Sequence, residues 1–189
     1  FTSKENTRGI IYIVRDPRDV CISWSKHLNV SIDKSIDSMT NDLSSSFWVE
    51  ERGKEIFNDN NRPKSFFSSW EKHVLSWTST KWDIPIKILK FEDLVYKKKE
   101  TIEDLINFFK INYKFKFKNI DNKLENIMIS TDFQRLKKEE KEKGFIESNS
   151  ENDFFSVGKK NQWKEKLDKT QIKILEDKFS EVMKKFNYK

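Results

Sequence analysis

One stretch, residues 9–28, constrains the fold of this chain more than any other. It opens with GIIYIV, a short apolar run of β-branched and aromatic side chains that is typical of a buried strand. Asp16 can then cap a helix that begins at Pro17, and Asp19 adds a carboxylate to its first turn. The stretch therefore predicts a strand, a tight turn and a helix. Arg15 lies at the carboxyl end of the strand, where ligands bind in open α/β sheets.

The predicted helix has an apolar and a polar face. Its apolar residues recur at helical spacing and are expected to pack against the sheet: Val20, Trp24 and Leu28, with Cys21 beside them. Ser23 lies off this stripe, so Arg15 and Ser23 could offer a charged fork and a hydroxyl to an anion. In the alternative, Arg15 pairs with a carboxylate such as Asp19, and Ser23 is only a surface residue of the helix.

Composition narrows the class of protein. The chain has 189 residues, enough for one domain with a core, and its net charge of +6 comes from lysines spread along the sequence. This charge favours anionic ligands without singling out nucleic acid. Cys21 is the only cysteine, which excludes an internal disulfide and favours a reducing, cytoplasmic compartment. No apolar run approaches the ~20 residues of a membrane helix, so no membrane partner is expected.

Further elements follow from hydrophobic periodicity. Helices are expected from about residue 33 and over residues 65–80, 98–110, 119–128 and 169–186, and a second strand over residues 86–91. His73 lies on the 65–80 helix and is expected to be structural. The polar residues 29–63 could form either a lid or a surface loop, and residues 144–153 are expected to be mobile. The KFKFK stretch at residues 114–118 is short and isolated, which favours a loop or sheet edge over a nucleic-acid-binding strip.

The segment IYIVRDPRDVCISW resembles the 3′-phosphate-binding segment of sulfotransferases that use 3′-phosphoadenosine-5′-phosphosulfate (PAPS). In that family a hydrophobic strand ends in an arginine, and a serine follows on the next helix. Both residues hold the 3′-phosphate of the nucleotide. The resemblance therefore implies this role for Arg15 and Ser23.

Two later segments resemble the same family. IKILKFEDLV is similar to a strand that ends in Tyr-Glu-Asp-Leu, and Phe91 stands where many relatives have a tyrosine that approaches the nucleotide. Glu92 and Asp93 are adjacent on this predicted strand and would point to opposite faces, so they are expected to cap the next segment rather than act together as acid and base. In the STDF segment, Thr131 and Phe133 match the hydroxyl and ring that contact adenine, although Thr131 could equally cap a helix.

The FFSVGKKNQWK segment is similar to the carboxyl-terminal signature of these enzymes. Gly158 would let the backbone approach a phosphate, and Lys159 and Lys160 would supply positive charge. The family's arginine and lysine before this glycine are Ser156 and Val157 here. Losing one charged hydrogen bond is expected to weaken nucleotide binding by ~2 kcal/mol, which the two lysines could offset only in part.

The resemblance implies a three-layer α/β fold with a mostly parallel sheet flanked by helices, of the P-loop-kinase-like sulfotransferase type. Residues 1–189 would form a single sulfotransferase-like domain that transfers a sulfonate group from PAPS to a hydroxyl or amine of a small-molecule or glycan acceptor, without a metal. In the family, the phosphosulfate loop and the catalytic histidine and lysine precede the strand that ends in Arg15. They would lie before Phe1, so this piece alone is expected to be an inactive fragment.

Two other functions are compatible with the sequence. A nucleoside or small-molecule kinase relative would bind ATP, which has no 3′-phosphate for Arg15 to contact. A non-enzymatic, basic nucleic-acid-binding module would bind a general oligonucleotide with a steep dependence on salt. The carboxyl-terminal signature favours neither, so nucleic acid is not the expected partner. The sequence does not specify the acceptor or the oligomeric state.

Overall fold

The computed structural model describes residues 4–42, 68–78, 83–145, 153–155 and 157–189. Within them the chain is rich in helix and contains a small parallel sheet. In order the elements are a 3₁₀ turn (Lys4–Asn6), β1 (Ile10–Val14), α1 (Pro17–Leu28), α2 (Ile32–Thr40), α3 (Trp70–Thr78), β2 (Ile86–Lys90), α4 (Phe91–Tyr96), α5 (Lys98–Tyr113), α6 (Ile120–Ser130), α7 (Phe133–Lys143), α8 (Trp163–Lys166), α9 (Lys169–Lys178) and α10 (Ser180–Lys185).

The two predicted strands pair in parallel. Their register runs from Ile10 opposite Ile86 to Val14 opposite Lys90, so both strands end at the same level. The β2 strand is one residue shorter than predicted, because Phe91 is already the first residue of α4. The prediction that Glu92 and Asp93 lie on a strand is therefore wrong. They lie in the first turn of a helix, where carboxylates favour the positive end of the helix dipole.

The residues group into two compact units. The sheet unit combines Phe1–Arg15 with Lys81–Lys160, and the helical unit combines Asp16–Thr80 with Asn161–Lys189. Within its described part, the sheet unit contains β1, β2 and α4 to α7, and the helical unit contains α1 to α3 and α8 to α10.

The helical unit is built on a shared hydrophobic core. Its buried members come from α1, α2 and the carboxyl-terminal region: Cys21, Ile22, Ile36, Met39, Leu167, Leu175, Phe179 and Met183. Val20 and Trp24 are partly buried and pack against these residues. Within its own unit, the apolar face of α1 thus packs against helices. The Trp70 ring of α3 reaches Phe179, with ring centroids 5.1 Å apart.

The single helix predicted over residues 169–186 is wrong. The chain forms α9 and α10, which meet at Phe179, where φ is −109° and ψ is 15°. Leu175, Phe179 and Met183 are all fully buried, and each is four residues from the next. On one straight helix this spacing rotates by about 40° per step. The break lies between the two helices, and all three side chains belong to the core of the helical unit.

Of the remaining predictions, some concern described residues and others do not. Residues 114–117 form no regular element, which confirms the predicted loop, and the Phe115 ring stacks on Phe109 with centroids 5.6 Å apart. Some predictions fall outside the described residues: residues 43–63 of the predicted lid or surface loop, residues 65–67 and 79–80 of the predicted 65–80 helix, residues 146–152 of the predicted mobile segment, and Ser156. Among the described helices, none is both long and apolar enough to cross a membrane.

Candidate functional site

Arg15 contacts two other sequence-predicted residues of the sheet unit, Phe91 and Lys159. It directly follows β1, and its guanidinium carbon lies 4.3 Å from the centroid of the Phe91 ring. Its Nη2 donates a hydrogen bond to the carbonyl oxygen of Lys159 at 3.2 Å. Phe91 is close because Lys90, the residue before it, is the register partner of Val14. The ends of two parallel strands and the segment after Gly158 therefore meet at one cation.

The Phe91 ring keeps a role although it lacks the hydroxyl of a tyrosine. A guanidinium over a phenyl face gains about 0.5–1 kcal/mol where solvent is present, and more where it is excluded. The ring therefore orients Arg15 from one side, and the hydrogen bond to Lys159 orients it from another. Arginine suits this position because its planar fork stacks and donates at the same time.

Tyr96 is a site residue that the sequence reading missed. Its hydroxyl accepts a hydrogen bond from the backbone N–H of Lys160 at 3.3 Å, and the Lys160 ammonium lies 4.6 Å from the centroid of its ring. The only sequence signal was its place at the end of the FEDLVY helix, which begins with Phe91. Tyr96 thus fixes the backbone of the Gly158 segment one residue beyond the carbonyl that Arg15 binds.

Phe133 and Gly158 lie against each other. Gly158 has φ +61°, a backbone conformation that residues other than glycine rarely adopt. A Cβ placed there would lie 2.5 Å from Cε2 of Phe133. The ring occupies the space that a side chain would need. The sequence analysis explains this glycine by the close approach of a phosphate. The structure adds a second explanation, because the Phe133 ring leaves no space for a side chain.

Thr131 is the carboxyl-terminal cap of α6, where its backbone N–H donates to the carbonyl of Ile127, but it is not the amino-terminal cap of α7. Asp132 caps α7 instead, with its carboxylate accepting from the N–H of Arg135 at 3.0 Å. The Thr131 hydroxyl donates to the carbonyl of Ile127 at 2.7 Å. Lys98 of α5, which the sequence reading did not single out, donates to both the carbonyl and the hydroxyl of Thr131, at 2.6 and 3.1 Å. Thr131 is thus held at the junction of α6 and α7.

Ser23 and Asp19 belong to the helical unit. Ser23 is exposed on α1, on the polar face where the sequence places it. Asp19 is 1% exposed, and its two carboxylate oxygens accept the backbone N–H groups of Asn161 and Trp163 at 2.7 and 3.1 Å. The carboxylate therefore holds the start of α8. In the described part of the chain, no cluster of three or more His, Cys, Asp or Glu is placed to hold a metal ion.

A buried ion cluster forms directly after the strand–helix turn. Arg18 is 5% exposed, and its guanidinium donates to the Asp16 carboxylate at 2.9 and 2.7 Å and to Glu176 at 2.5 Å. It also donates to the carbonyl of Tyr188 at 2.8 Å and lies 3.8 Å from the Trp163 ring centroid. This cluster ties the first turn of α1 to the carboxyl-terminal part of the helical unit.

Comparisons with known proteins agree on a family. The model of the sulfotransferase domain family matches residues 3–187. Among solved structures, the chain is similar to mouse sulfotransferase SULT7A1 complexed with PAP, with a TM-score of 0.66 and 19% sequence identity. The match covers 95% of this chain and 59% of the mouse chain, so this chain spans about three fifths of that relative's length. The fold and the family match over nearly the whole sequence show that this chain belongs to the sulfotransferase domain family.

Proposed function

We propose that this protein binds PAPS through its 3′-phosphate and transfers the sulfonate group to a hydroxyl or amine of an acceptor. The position of Arg15 carries this proposal. Its guanidinium lies at the shared end of two parallel strands, over the Phe91 ring and bonded to the Lys159 carbonyl. A guanidinium held in this way is oriented before a phosphate binds, and hydrogen bonds from a guanidinium to a phosphate are charge-assisted.

On the phosphate side, Arg15 and Ser23 would bind the 3′-phosphate. Lys159 and Lys160 are exposed and would neutralise negative charge near it. Gly158 would let the backbone approach the nucleotide closely, which its positive φ and its lack of a side chain support. These residues fit a polyanionic nucleotide, because they combine one oriented guanidinium with two ammonium groups.

On the adenine side, Thr131 and Phe133 would contact the base, and Phe91 would approach the nucleotide beside Arg15. Phe133 is partly buried and oriented by its packing on Gly158, and Thr131 is held by Lys98. When bound, PAPS supplies the sulfonate group and leaves as adenosine 3′,5′-bisphosphate (PAP). The residues named here bind and orient the nucleotide, and none of them is proposed as the catalytic base.

We further propose that residues 1–189 belong to one sulfotransferase-like domain, and that the acceptor is a small molecule or glycan in a cytoplasmic, reducing compartment. Cys21 supports the choice of compartment because it is the only cysteine of the sequence and lies fully buried as a free thiol. A lone buried thiol needs no oxidising environment for its structural role.

Calorimetric titration with PAP and with 5′-AMP tests the nucleotide site. The wild type is expected to bind PAP more tightly than 5′-AMP. Arg15→Ala is expected to weaken PAP binding by about 10- to 100-fold, the effect of losing a hydrogen bond to a charged group, and to leave 5′-AMP binding nearly unchanged. Arg135→Ala is the matched control, because Arg135 is an exposed arginine that pairs with Glu139 on α7. Equal, weak binding of both nucleotides by the wild type would contradict the proposal.

A further inference from the structure

Glu140 on α7 is a buried carboxylate that binds backbone. Only 7% of its surface is exposed. Its Oε1 accepts the N–H of Phe154 at 2.6 Å, and its Oε2 accepts the N–H of Phe155 at 2.9 Å. Hydrogen bonds to an ionised acceptor are roughly twice as strong as neutral ones. Glu140 therefore fixes two consecutive residues of the carboxyl-terminal segment on the side of α7.

The same helix holds this segment at a second point. Phe133 is the first residue of α7, and Glu140 follows seven positions later, about two helical turns, so both side chains lie on one face. The Phe155 ring packs edge-on against the Phe133 ring, with centroids 6.3 Å apart and an angle of 76° between the ring planes. The hydrogen bond from Phe155 to Glu140 thus sets where its ring meets Phe133.

The segment then returns to Phe133 at Gly158. The Phe133 ring lies so close to Gly158 that an added Cβ would be 2.5 Å from it. The next residue, Lys159, presents its carbonyl to Arg15. The segment is therefore fixed by Glu140 shortly before it reaches the residues that would bind the nucleotide, and Phe133 lies between Phe155 and Gly158.

We propose that Glu140 is a positioning residue for nucleotide binding. By fixing the backbone of Phe154 and Phe155, it holds Phe133 and Gly158 in the arrangement that receives the adenine end of the nucleotide. This inference rests on the proposed PAPS site. Glu140 acts only through the segment that it holds and makes no contact with the nucleotide itself.

Two substitutions of Glu140 test its effect on nucleotide binding to different degrees. Glu140→Gln keeps the shape of the side chain and one acceptor oxygen, whereas Glu140→Ala removes both acceptors. Glu142→Gln is the matched control, because Glu142 is an exposed glutamate on the same helix, paired with Lys138 at 3.7 Å. Calorimetry with PAP and 5′-AMP is expected to show both nucleotides weakened by the same factor, about tenfold for alanine, less for glutamine, and unchanged for the control. Equal weakening separates this role from that of Arg15, whose loss is expected to affect PAP alone.

Amide hydrogen exchange supplies a second readout. In the Glu140 variants, exchange at Phe154 and Phe155 is expected to become faster while the amides of β1 keep their protection. If the wild type binds neither nucleotide, the proposed function fails and this inference fails with it. If the wild type binds PAP and Glu140→Ala binds both nucleotides as tightly, only the inference fails. If Glu140→Ala does not fold, Glu140→Gln decides by the same criterion.

Discussion

Arg18 shows how much a single side chain can organise. It directly follows the proline that begins α1, and its charge is buried among Asp16, Glu176 and the ring of Trp163. Burying a guanidinium is unfavourable unless nearly all of its donors are satisfied. Its donors reach two carboxylates and one backbone carbonyl. Removing this one side chain would take from Asp16, which is 4% exposed, its buried ion pair with Arg18.

Replacing Arg18 with methionine is therefore expected to lower the free energy of unfolding by about 3–5 kcal/mol. Urea denaturation, monitored by tryptophan fluorescence, measures this change. Arg135→Met provides the comparison, because the exposed pair of Arg135 with Glu139 is expected to contribute less than about 1 kcal/mol. Similar losses in the two variants would show that the buried cluster adds nothing beyond a surface ion pair.

Residues of this kind mark a limit of sequence reading. Arg15 was identified because it lies inside a dense local motif that resembles a known family. Arg18 lies in the same motif, but its partner Glu176 is 158 positions away along the chain. No local pattern encodes such a pair. For the same reason the sequence did not reveal that Glu140 binds the backbone of Phe154 and Phe155, or that Lys98 binds Thr131.

At the scale of elements, two glycines beside helices differ in the space around them. Gly144 ends α7 and Gly158 precedes α8, and both have positive φ, +74° and +61°. Nothing lies within 4 Å of the position that a Cβ would take at Gly144, whereas at Gly158 the Phe133 ring fills that space. Alanine at either position carries the backbone strain, but only alanine at Gly158 also displaces a ring.

Gly158→Ala is accordingly expected to destabilise the protein more than Gly144→Ala, by about 1–3 kcal/mol, the usual effect of overpacking. The difference between their urea midpoints, at equal m-values, measures the displacement of the ring together with any difference in backbone strain between the two positions. The double variant Gly158→Ala with Phe133→Leu should recover part of the loss, since leucine can yield space that the ring cannot. Equal destabilisation by the two alanines would count against a tight contact between Gly158 and Phe133.

Element boundaries were predictable where short-range chemistry sets them. The β1–turn–α1 unit followed from a β-branched run, the Asp16 cap and Pro17, and the structure has it nearly as predicted. The break at Phe179 was not predictable, because the apolar pattern of residues 169–186 continues through it. Leu175, Phe179 and Met183 continue the same buried pattern on both sides of the break, so the sequence pattern does not mark where α9 ends.

For the molecule as a whole, burial makes stability sensitive to alkaline pH. In the helical unit, burial raises the pKa of the Cys21 thiol from 9.0 to about 11. In the sheet unit, burial raises the pKa of the Tyr12 hydroxyl from 10.0 to about 12. In each case the folded state holds the proton more tightly than the unfolded chain does. Deprotonation therefore favours unfolding, and the stability present below the unfolded pKa is lost as pH rises through the folded pKa.

The free energy of unfolding is thus expected to fall as pH increases from about 9 to about 11. Cys21→Ala should make this decline shallower, whatever its effect on stability at neutral pH, because it removes one of the two groups. Urea titrations at several alkaline pH values measure the slope. A slope unchanged by the substitution would mean that the thiol does not titrate in the folded protein as its burial implies.

In the candidate site too, the sequence predicted the residues of local motifs but not the contacts between residues that are far apart along the chain. The resemblance named Arg15, Phe91 and Lys159 from three motifs far apart in sequence, and in the structure Arg15 contacts both of the others. The parallel strand order that brings the first two together follows from the family's fold. The contact of Tyr96 with the Gly158 segment could not be predicted from the sequence, because the Tyr96 hydroxyl and the Lys160 amide are 64 positions apart along the chain.

The interleaved order of the two units has a consequence for biosynthesis. The sheet unit has all its segments once residue 160 has been made, but the helical unit still needs Asn161–Lys189. Until then Cys21 and Ile22 of α1 and Ile36 and Met39 of α2 lack Leu175, Phe179 and Met183, against which they are buried. On the ribosome these early helices therefore expose apolar surface while more than half of the chain is added, which makes them natural ligands for chaperones that hold nascent chains.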